Sequence, residues 1–158
     1  MPEFKPPRPG ERAIDLPGSP DAGLHFIGRI HTAYPTPADC PKNTLERTEA
    51  ATIEVDPPFD AGLAGIEGFS HLIALYWLDR SRRDLIVQQP SHRPSPTGVF
   101  ALRSPVRPNP IGLAVVEVLG REGNKIRIRA IDCADGTPLL DLKPYLASSD
   151  SVPDATRP

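Results

Sequence analysis

The sequence contains little cysteine: Cys40 and Cys133 are the only two among its 158 residues. They lie far apart, and neither belongs to a CxxC pair or stands beside histidines at the spacing of zinc ligands. Two cysteines are too few for a disulfide framework, and a chain of this length can fold without a disulfide or a metal. We therefore expect two idle thiols and no metal site.

Long apolar runs are also missing. None reaches the length that spans a membrane, and the start of the chain lacks the apolar core of a signal peptide. The sequence therefore predicts a cytoplasmic protein with no membrane partner.

The common nucleotide-binding and nucleophile motifs are absent as well. The sequence has no GxGxxG after a strand, no GxxxxGK[ST] phosphate loop and no GxSxG turn. Ser70 and His71 are neighbours in a strand-like context, where adjacent side chains point to opposite faces. A hydrogen bond between them is therefore not expected, which argues against a hydrolase.

Proline is abundant, with 21 residues, and it is clustered. Residues 1–21 are proline-rich with almost no apolar periodicity and predict a flexible arm, and residues 153–158 predict a flexible tail. Between them, residues 22–152 carry short apolar stretches broken by proline and glycine. This pattern predicts one mainly β domain, a compact and largely antiparallel β-barrel, although a sandwich would give a similar pattern.

The expected elements follow the local patterns of apolar residues. Residues 72–78 are apolar throughout, which suggests a strand buried on both faces, whereas residues 125–130 alternate and predict one wet face. We expect strands at residues 24–30, 52–55, 72–78, 98–102, 113–119 and 125–130, a short helix at 60–65 and a hairpin turn at 122–124.

Charge is distributed unevenly around a net value of −2. Residues 80–107 contain six arginines against Asp84 alone, a local net of +5 that leaves −7 for the rest of the chain. Such a patch fits RNA phosphates, although a solvated arginine-rich loop would have the same composition. The six are Arg80, Arg82, Arg83, Arg93, Arg103 and Arg107.

Two polar segments are unusual for a purely structural role. In Phe100–Gly112, three prolines restrict φ, so the loop would hold Arg103 and Asn109 rigidly, as a ligand site requires. Farther on, Asp141, Lys143 and Tyr145 alternate, so an extended backbone places them on one face, where they could orient a nucleophile or move a proton. An exposed salt bridge beside a stacked tyrosine is the structural alternative.

A third segment, Gly65–Leu72, favours a structural interpretation. Its glycines suit a turn, Phe69 suits packing, and His71 is expected to be partly buried with its hydrogen bonds satisfied.

Together the three segments resemble the TsaA-like family, which includes tRNA methyltransferases of the TrmO (YaeB) type. The family patterns GLEGFSHL, GVFATRSPxRPNPIGL and DGTPxLDIKPY correspond to Gly65–Leu72, Gly98–Leu113 and Asp135–Tyr145. The likeness covers residues 24–154.

This resemblance implies a small β-barrel that binds S-adenosyl-L-methionine without a Rossmann fold. It also implies a homodimer with the cofactor near the subunit interface, and methylation of N6 of threonylcarbamoyl-adenosine next to the anticodon of tRNA. By motif, the expected cofactor contacts are Pro41, Lys42, Asn43, Asp79, Arg80, Arg103, Asn109, Leu113, Arg129, Ala130, Ile131 and Asp132. We hypothesise that Tyr145, held with Asp141 and Lys143, orients the acceptor or assists loss of its proton, and that the arginines hold phosphates of the anticodon arm.

The sequence also departs from the family pattern. Lys42 and Asn43 stand in place of an arginine and a glutamine, and Asp79-Arg80 stands in place of a His-Gln pair. The sequence ends soon after the last motif, whereas longer TrmO proteins continue into a small C-terminal domain; if that domain grips tRNA, we expect different binding or another acceptor. Two alternatives therefore stay open: a non-catalytic sensor of S-adenosylmethionine, and a methyltransferase for a different acceptor.

Overall fold

The computed structural model of the chain describes residues 4–41 and 49–158. These residues belong to two compact units: unit 1 lies within residues 1–25 and 77–112, and unit 2 within residues 26–76 and 113–158. The nine strands described are β1 (Arg12–Ala13), β2 (Gly28–His31), β3 (Ala50–Val55), β4 (His71–Trp77), β5 (Leu85–Gln88), β6 (Thr97–Gly98), β7 (Ile111–Glu122), β8 (Lys125–Arg129) and β9 (Thr137–Pro144). Short 3-10 helices span Phe59–Leu63, Ile66–Gly68 and Val99–Ala101, and one α-helical turn, α1, spans Ala147–Asp150.

Unit 2 is built on a closed barrel with the strand order β2-β3-β8-β7-β4-β9. The described neighbours β2/β3, β2/β9, β3/β8, β4/β9 and β7/β8 all pair antiparallel. The expectation of a mainly β, largely antiparallel barrel is thus confirmed, and closure excludes the sandwich.

Alternating side chains fill the barrel interior. On β3 and β8, Ile53 lies opposite Ile126 and Ala51 opposite Ile128, and all four are buried. The outward residues Thr52, Glu54, Lys125, Arg127 and Arg129 are polar, so the period of two that predicted β8 also sets its register with β3. Val55 at the end of β3 is buried as well, and the other barrel strands add the buried residues Ile30, Leu72, Ala74, Tyr76, Val116 and Leu139.

At two positions the backbone of the barrel requires glycine. Gly28 packs so closely on β3 that a Cβ atom there would lie 2.0 Å from Glu54 O. Gly123 has φ of 59°, a left-handed conformation, in the predicted hairpin turn between β7 and β8. That turn is fastened to β3, because Val55 N donates to Asn124 O at 3.0 Å and Asn124 Nδ2 donates to Val55 O at 2.9 Å.

The predicted strand at residues 72–78 is not buried on both faces. β4 alternates between buried residues facing inward and half-buried residues facing outward, with His71 exposed. A barrel strand has one interior face, so a continuous apolar run there does not require two.

Two other strand predictions are wrong in position or type. The first barrel strand begins at Gly28 rather than Leu24, and both Leu24 and Phe26 are exposed. Residues 98–102 are mostly not extended, because Val99–Ala101 form a 3-10 helix in which Leu102 N donates to Val99 O at 3.1 Å.

Unit 1 contains a three-stranded sheet in the order β1-β5-β6. The division of the chain at residues 21 and 152 stays a prediction, but part of the predicted arm has defined partners. β1 pairs with β5, and Arg8 Nη2 donates to Gln89 O at 2.9 Å. Glu11 lies between these contacts with its side chain 4% exposed, and it accepts from Arg8 Nη2 at 2.7 Å.

Glu11 makes the attachment of β1 sensitive to acid. The hydrogen bond from Arg8, above all, lowers the pKa of Glu11 from 4.5 to about 2. Because the folded pKa is depressed, the stabilisation is present above pH 4.5 and is lost as pH falls toward about 2. We predict that amide hydrogen exchange at Arg12 and Ala13, corrected for intrinsic rates, accelerates across this window.

The matched variant is Glu11→Gln, which removes the charge and keeps the size. We expect its β1 amides to exchange faster at neutral pH and to lose the acid dependence. Glu122→Gln, on the exposed end of β7, is the control. Retention of the acid-dependent step in Glu11→Gln would assign the step to another group.

Candidate functional site

The end of β9 carries the three residues predicted to act on the acceptor. Asp141 and Lys143 lie opposite alternate residues of β4. Tyr145 N donates to His71 O at 3.2 Å, which continues this pairing one step beyond the strand. Since alternate positions share a face, the carboxylate, the ammonium and the phenol lie on one side of β9. Leu142 takes the other face, but Leu140 is skipped by the register at a bulge and does not share that alternation.

The structure pairs two of these three side chains directly. Lys143 Nζ lies 2.8 Å from Asp141 Oδ2, and Leu142 N donates to Asp141 Oδ1 at 2.9 Å. The two side chains are 58% and 43% exposed, so solvent screens the pair and its contribution to stability is small. The ring of Tyr145 contacts His71 edge-to-face, with centroids 6.4 Å apart and an interplanar angle of 62°.

The prediction that Ser70 and His71 do not meet is wrong. Ser70 Oγ lies 2.8 Å from His71 Nδ1, at hydrogen-bond distance. Alternation does not apply because Ser70 precedes β4, which begins at His71. His71 is also exposed rather than partly buried, and its ring lies between Ser70 and Tyr145. This pair therefore helps to position the aromatic ring of Tyr145.

The segment after β8 contains four of the predicted cofactor residues, Arg129 to Asp132. Arg129 Nη1 donates to Glu117 Oε2 at 2.9 Å, and Ile131 is buried. Between them, Ala130 has φ of 74° and is the one non-glycine residue in the described ranges with a positive φ. Such strain persists where the surrounding structure fixes it, and it concentrates at ligand sites.

Asp132 is held by a residue that the sequence argument did not single out. Tyr76 OH donates to Asp132 Oδ1 at 2.8 Å, and Tyr76 is only 3% exposed. A buried phenol needs a hydrogen-bond partner, so the pair fixes the carboxylate and satisfies the hydroxyl at once. The sequence does contain a signal for this hydrogen bond: Tyr76 lies within an apolar run, and a tyrosine that faces the interior needs a polar partner for its hydroxyl.

The remaining predicted contacts in unit 2 are less well defined. Pro41 is half-buried, and Lys42 and Asn43 lie outside the described residues. Leu113 is 49% exposed on the outward side of β7, as is Val115 at 41%, while Ala114 and Val116 face inward.

In unit 1, Arg83 fastens the proline-rich loop that holds the other predicted contacts. Its Nε donates to Pro108 O at 2.6 Å, and its Nη2 lies 3.4 Å from Asn109 Oδ1. The guanidinium also lies over the ring of Trp77, 5.2 Å from the centroid. Asn109 is thus held in a fixed loop, as the prolines predicted. Asp79, Arg80 and Arg103 are exposed.

Several arginines of the basic segment have partners inside unit 1. Arg82 pairs with Asp84, with Nε and Oδ1 2.8 Å apart, and Arg107 Nη2 donates to Val99 O at 2.9 Å. The first role of Arg82, Arg83 and Arg107 is therefore to stabilise the fold of unit 1. The exposed Arg103 is the better candidate for a ligand anion.

Replacing Arg83 with alanine should loosen the loop. We predict a loss of about 1 kcal/mol in stability, typical of an exposed cation–π contact with one hydrogen bond, and a changed emission of Trp77. Trp77 is the only tryptophan, so the emission reports the surroundings of this one ring. Arg83→Lys keeps the charge but loses the planar fork and should behave like the alanine variant. Unchanged emission in Arg83→Ala would show that the stacking does not persist in solution.

The buried thiol of Cys133 offers little chemistry. Burial raises the pKa of Cys133 to about 12, so this thiol is a poor nucleophile. In residues 4–41 and 49–158, no group of three or more His, Cys, Asp or Glu side chains could hold a metal ion. None of the helices in these residues is long and apolar enough to cross a membrane.

Comparison with known families then decides the identity. The model of the tRNA-methyltransferase O N-terminal domain (TrmO_N) matches residues 29–151. The chain belongs to this family. The TrmO_N match includes all three motif segments recognised in the sequence, and it confirms the resemblance drawn from them.

Individual relatives of this TrmO_N chain support the assignment. "Probable S-adenosyl-L-methionine-binding protein VirR" of Rhizobium radiobacter is 44% identical over 137 residues, covering 87% of this chain and 78% of its own. An "S-adenosyl-L-methionine-binding protein" of Archaeoglobus fulgidus is 38% identical over 129 residues, covering 82% and 93%. The crystal structure of TrmO from Pseudomonas aeruginosa matches with a TM-score of 0.73 and 34% identity, covering 89% of this chain. The present chain spans 62% of that TrmO chain.

Proposed function

We propose that this chain binds S-adenosyl-L-methionine and transfers its methyl group to N6 of threonylcarbamoyl-adenosine, next to the anticodon of tRNA. The observation that carries the proposal is the match to the tRNA-methyltransferase O family over residues 29–151, which includes every motif segment. The names of the relatives, which refer to S-adenosylmethionine, support the choice of cofactor.

The residues of unit 2 fit such a cofactor. A sulfonium cofactor with a ribose diol and an amino group offers hydrogen-bond donors, and the Asp132 carboxylate is an acceptor whose orientation Tyr76 fixes. The left-handed Ala130 turns the backbone just before that carboxylate. We expect Asp132 to accept from the ligand, with Arg129, Ala130 and Ile131 as neighbouring contacts. Leu113, Pro41, Lys42, Asn43 and the unit 1 residues Asp79, Arg80, Arg103 and Asn109 keep the binding role that the family resemblance implies.

The cofactor, when bound, supplies an electrophilic methyl group, so the protein mainly has to position the acceptor. An exocyclic adenine nitrogen is a weak nucleophile and must lose a proton at some stage. We assign to Tyr145 the task of orienting this nitrogen or assisting that loss. Lys143, whose Nζ lies 2.8 Å from Asp141 Oδ2, lies on the same face of β9 and can help to orient the acceptor beside the phenol.

The RNA partner and the assembly are also part of the proposal. Arg80 and Arg103, both exposed, would bind phosphates of the anticodon arm, so affinity should fall with salt. The outward apolar side chains Leu113 and Val115 on β7 would be covered in a homodimer. With tRNA as the substrate, we propose that the protein acts in the cytoplasm.

A second candidate has some support. Relatives named for S-adenosylmethionine binding alone favour a sensor that binds the cofactor and transfers nothing. The methyltransferase and the sensor would use the same cofactor site, and only the methyltransferase would transfer the methyl group.

Isothermal titration with S-adenosylmethionine and transfer of a labelled methyl group to bulk tRNA separate these functions. We expect saturable cofactor binding and label in tRNA from a strain that lacks the gene, but little label in tRNA from the parent strain, which is already modified. Binding without label in either tRNA would favour the sensor or another acceptor. Failure to bind the cofactor would contradict both functions.

A further inference from the structure

We propose that Phe100 is a stacking platform for an unpaired base of the RNA substrate. This inference rests on the proposed function and adds a contact for the RNA itself, in a residue with no assigned role. Phe100 is 82% exposed, the largest exposed fraction among the large apolar side chains that the structure describes.

The turn that presents Phe100 is held from several directions. Val99, its neighbour, is 1% exposed and anchors the 3-10 helix in unit 1. Arg107 Nη2 donates to Val99 O at 2.9 Å and lies 3.3 Å from Leu102 O, which fastens both ends of the turn. A ring displayed on a fixed backbone loses little conformational freedom when a ligand stacks on it.

The segment of chain that carries Phe100 favours RNA over an apolar partner. From residue 91 to residue 109, all of them described, it is the one large apolar side chain that is exposed. A protein or membrane contact generally needs a contiguous apolar patch, whereas a single ring suffices to stack a base.

The positive charge of this stretch also favours RNA. Arg103 is exposed three residues beyond Phe100, within a stretch that carries six arginines against one aspartate. An aromatic ring beside a cation is the combination with which proteins bind unpaired nucleotides: the ring stacks the base and the cation meets the phosphate. Stacking tolerates any base, so this contact would supply affinity rather than sequence preference.

The test measures binding of a fluorescein-labelled anticodon stem-loop at several salt concentrations, with the full chain and three variants. Phe100→Leu keeps an apolar side chain but removes the ring, and we expect its affinity to fall about 5- to 100-fold. Its slope of log K against log salt should equal that of the parent protein, because no charge is lost. Phe100→Trp should restore the affinity. Arg103→Gln is the electrostatic comparison and should reduce the slope by about one.

The outcomes are distinct. Loss of affinity in Phe100→Leu with an unchanged salt slope, and recovery in Phe100→Trp, support the platform. Equal affinity of Phe100→Leu and the parent protein overturns the platform and leaves the proposed function intact. A change from dimer to monomer in sedimentation of Phe100→Leu also overturns it, because a second copy would then cover the ring. Failure of the parent protein to bind the stem-loop overturns both proposals.

Discussion

Replacing Tyr145 with phenylalanine is expected to lower the single-turnover rate of methyl transfer by about 100-fold, a common size for the loss of a proton-transfer or orienting group. The affinity for S-adenosylmethionine should change by less than about twofold. The variant removes only the phenolic oxygen, and the ring can keep its edge contact with His71. A rate effect without a binding effect is what a group acting on the acceptor produces.

The pH dependence of the rate sharpens this prediction. If Tyr145 assists proton loss, the single-turnover rate of the parent protein should rise with pH, and that rise should be absent in Tyr145→Phe. An unchanged single-turnover rate in Tyr145→Phe would remove Tyr145 from the chemical step.

The second large effect is expected at Tyr76. In Tyr76→Phe, Asp132 loses the hydroxyl that fixes its Oδ1 at 2.8 Å, and we predict about tenfold weaker binding of S-adenosylmethionine by isothermal titration. A hydrogen bond to a charged group is worth about 1.5–3 kcal/mol, and part of that energy is lost in the free protein rather than in binding. The Tm should therefore fall as well, and binding must be measured well below it.

The chain provides its own control for both substitutions, because it contains three tyrosines. The third, Tyr34, donates to Glu49 Oε2 at 2.9 Å in an exposed position. Tyr34→Phe should alter neither the rate nor the cofactor affinity. If Tyr76→Phe binds the cofactor as tightly as Tyr34→Phe does, Asp132 is not held for the ligand by this hydrogen bond.

Much of the barrel could be predicted from the sequence because local patterning and tertiary structure agree there. Residues 125–130 alternate strictly, and β8 buries Ile126 and Ile128 as that period requires. The hairpin turn was predictable for the same reason, since Gly123 supplies the left-handed conformation that the turn needs. The local pattern alone did not separate a closed barrel from a sandwich, because closure depends on the pairing of β2 with β9, which lie far apart in the sequence; the family resemblance implied the barrel.

The site was only partly predictable, for a different physical reason. The family motifs identified Asp132 and Tyr145 as residues, but the hydrogen bond from Tyr76 joins positions 56 residues apart. The contact between Ser70 and His71 was missed because one residue lies outside the strand, a boundary that propensity does not define to a single position. Likewise, composition revealed the arginine-rich segment, but only the structure shows which arginines bond to the fold itself, as Arg83 does to Pro108 O, and so leaves Arg103 as the better candidate for a ligand anion.

The most direct test of the central claim is mass spectrometry of nucleosides from tRNA incubated with the purified protein and methyl-labelled S-adenosylmethionine. The tRNA should come from a strain that lacks the gene, and Tyr145→Phe provides the matched control. We predict a labelled methyl group on the N6 nitrogen of threonylcarbamoyl-adenosine, formed by the parent protein and strongly reduced with the variant. Label on a different nucleoside, or no label from a protein that binds the cofactor, would contradict the proposed reaction.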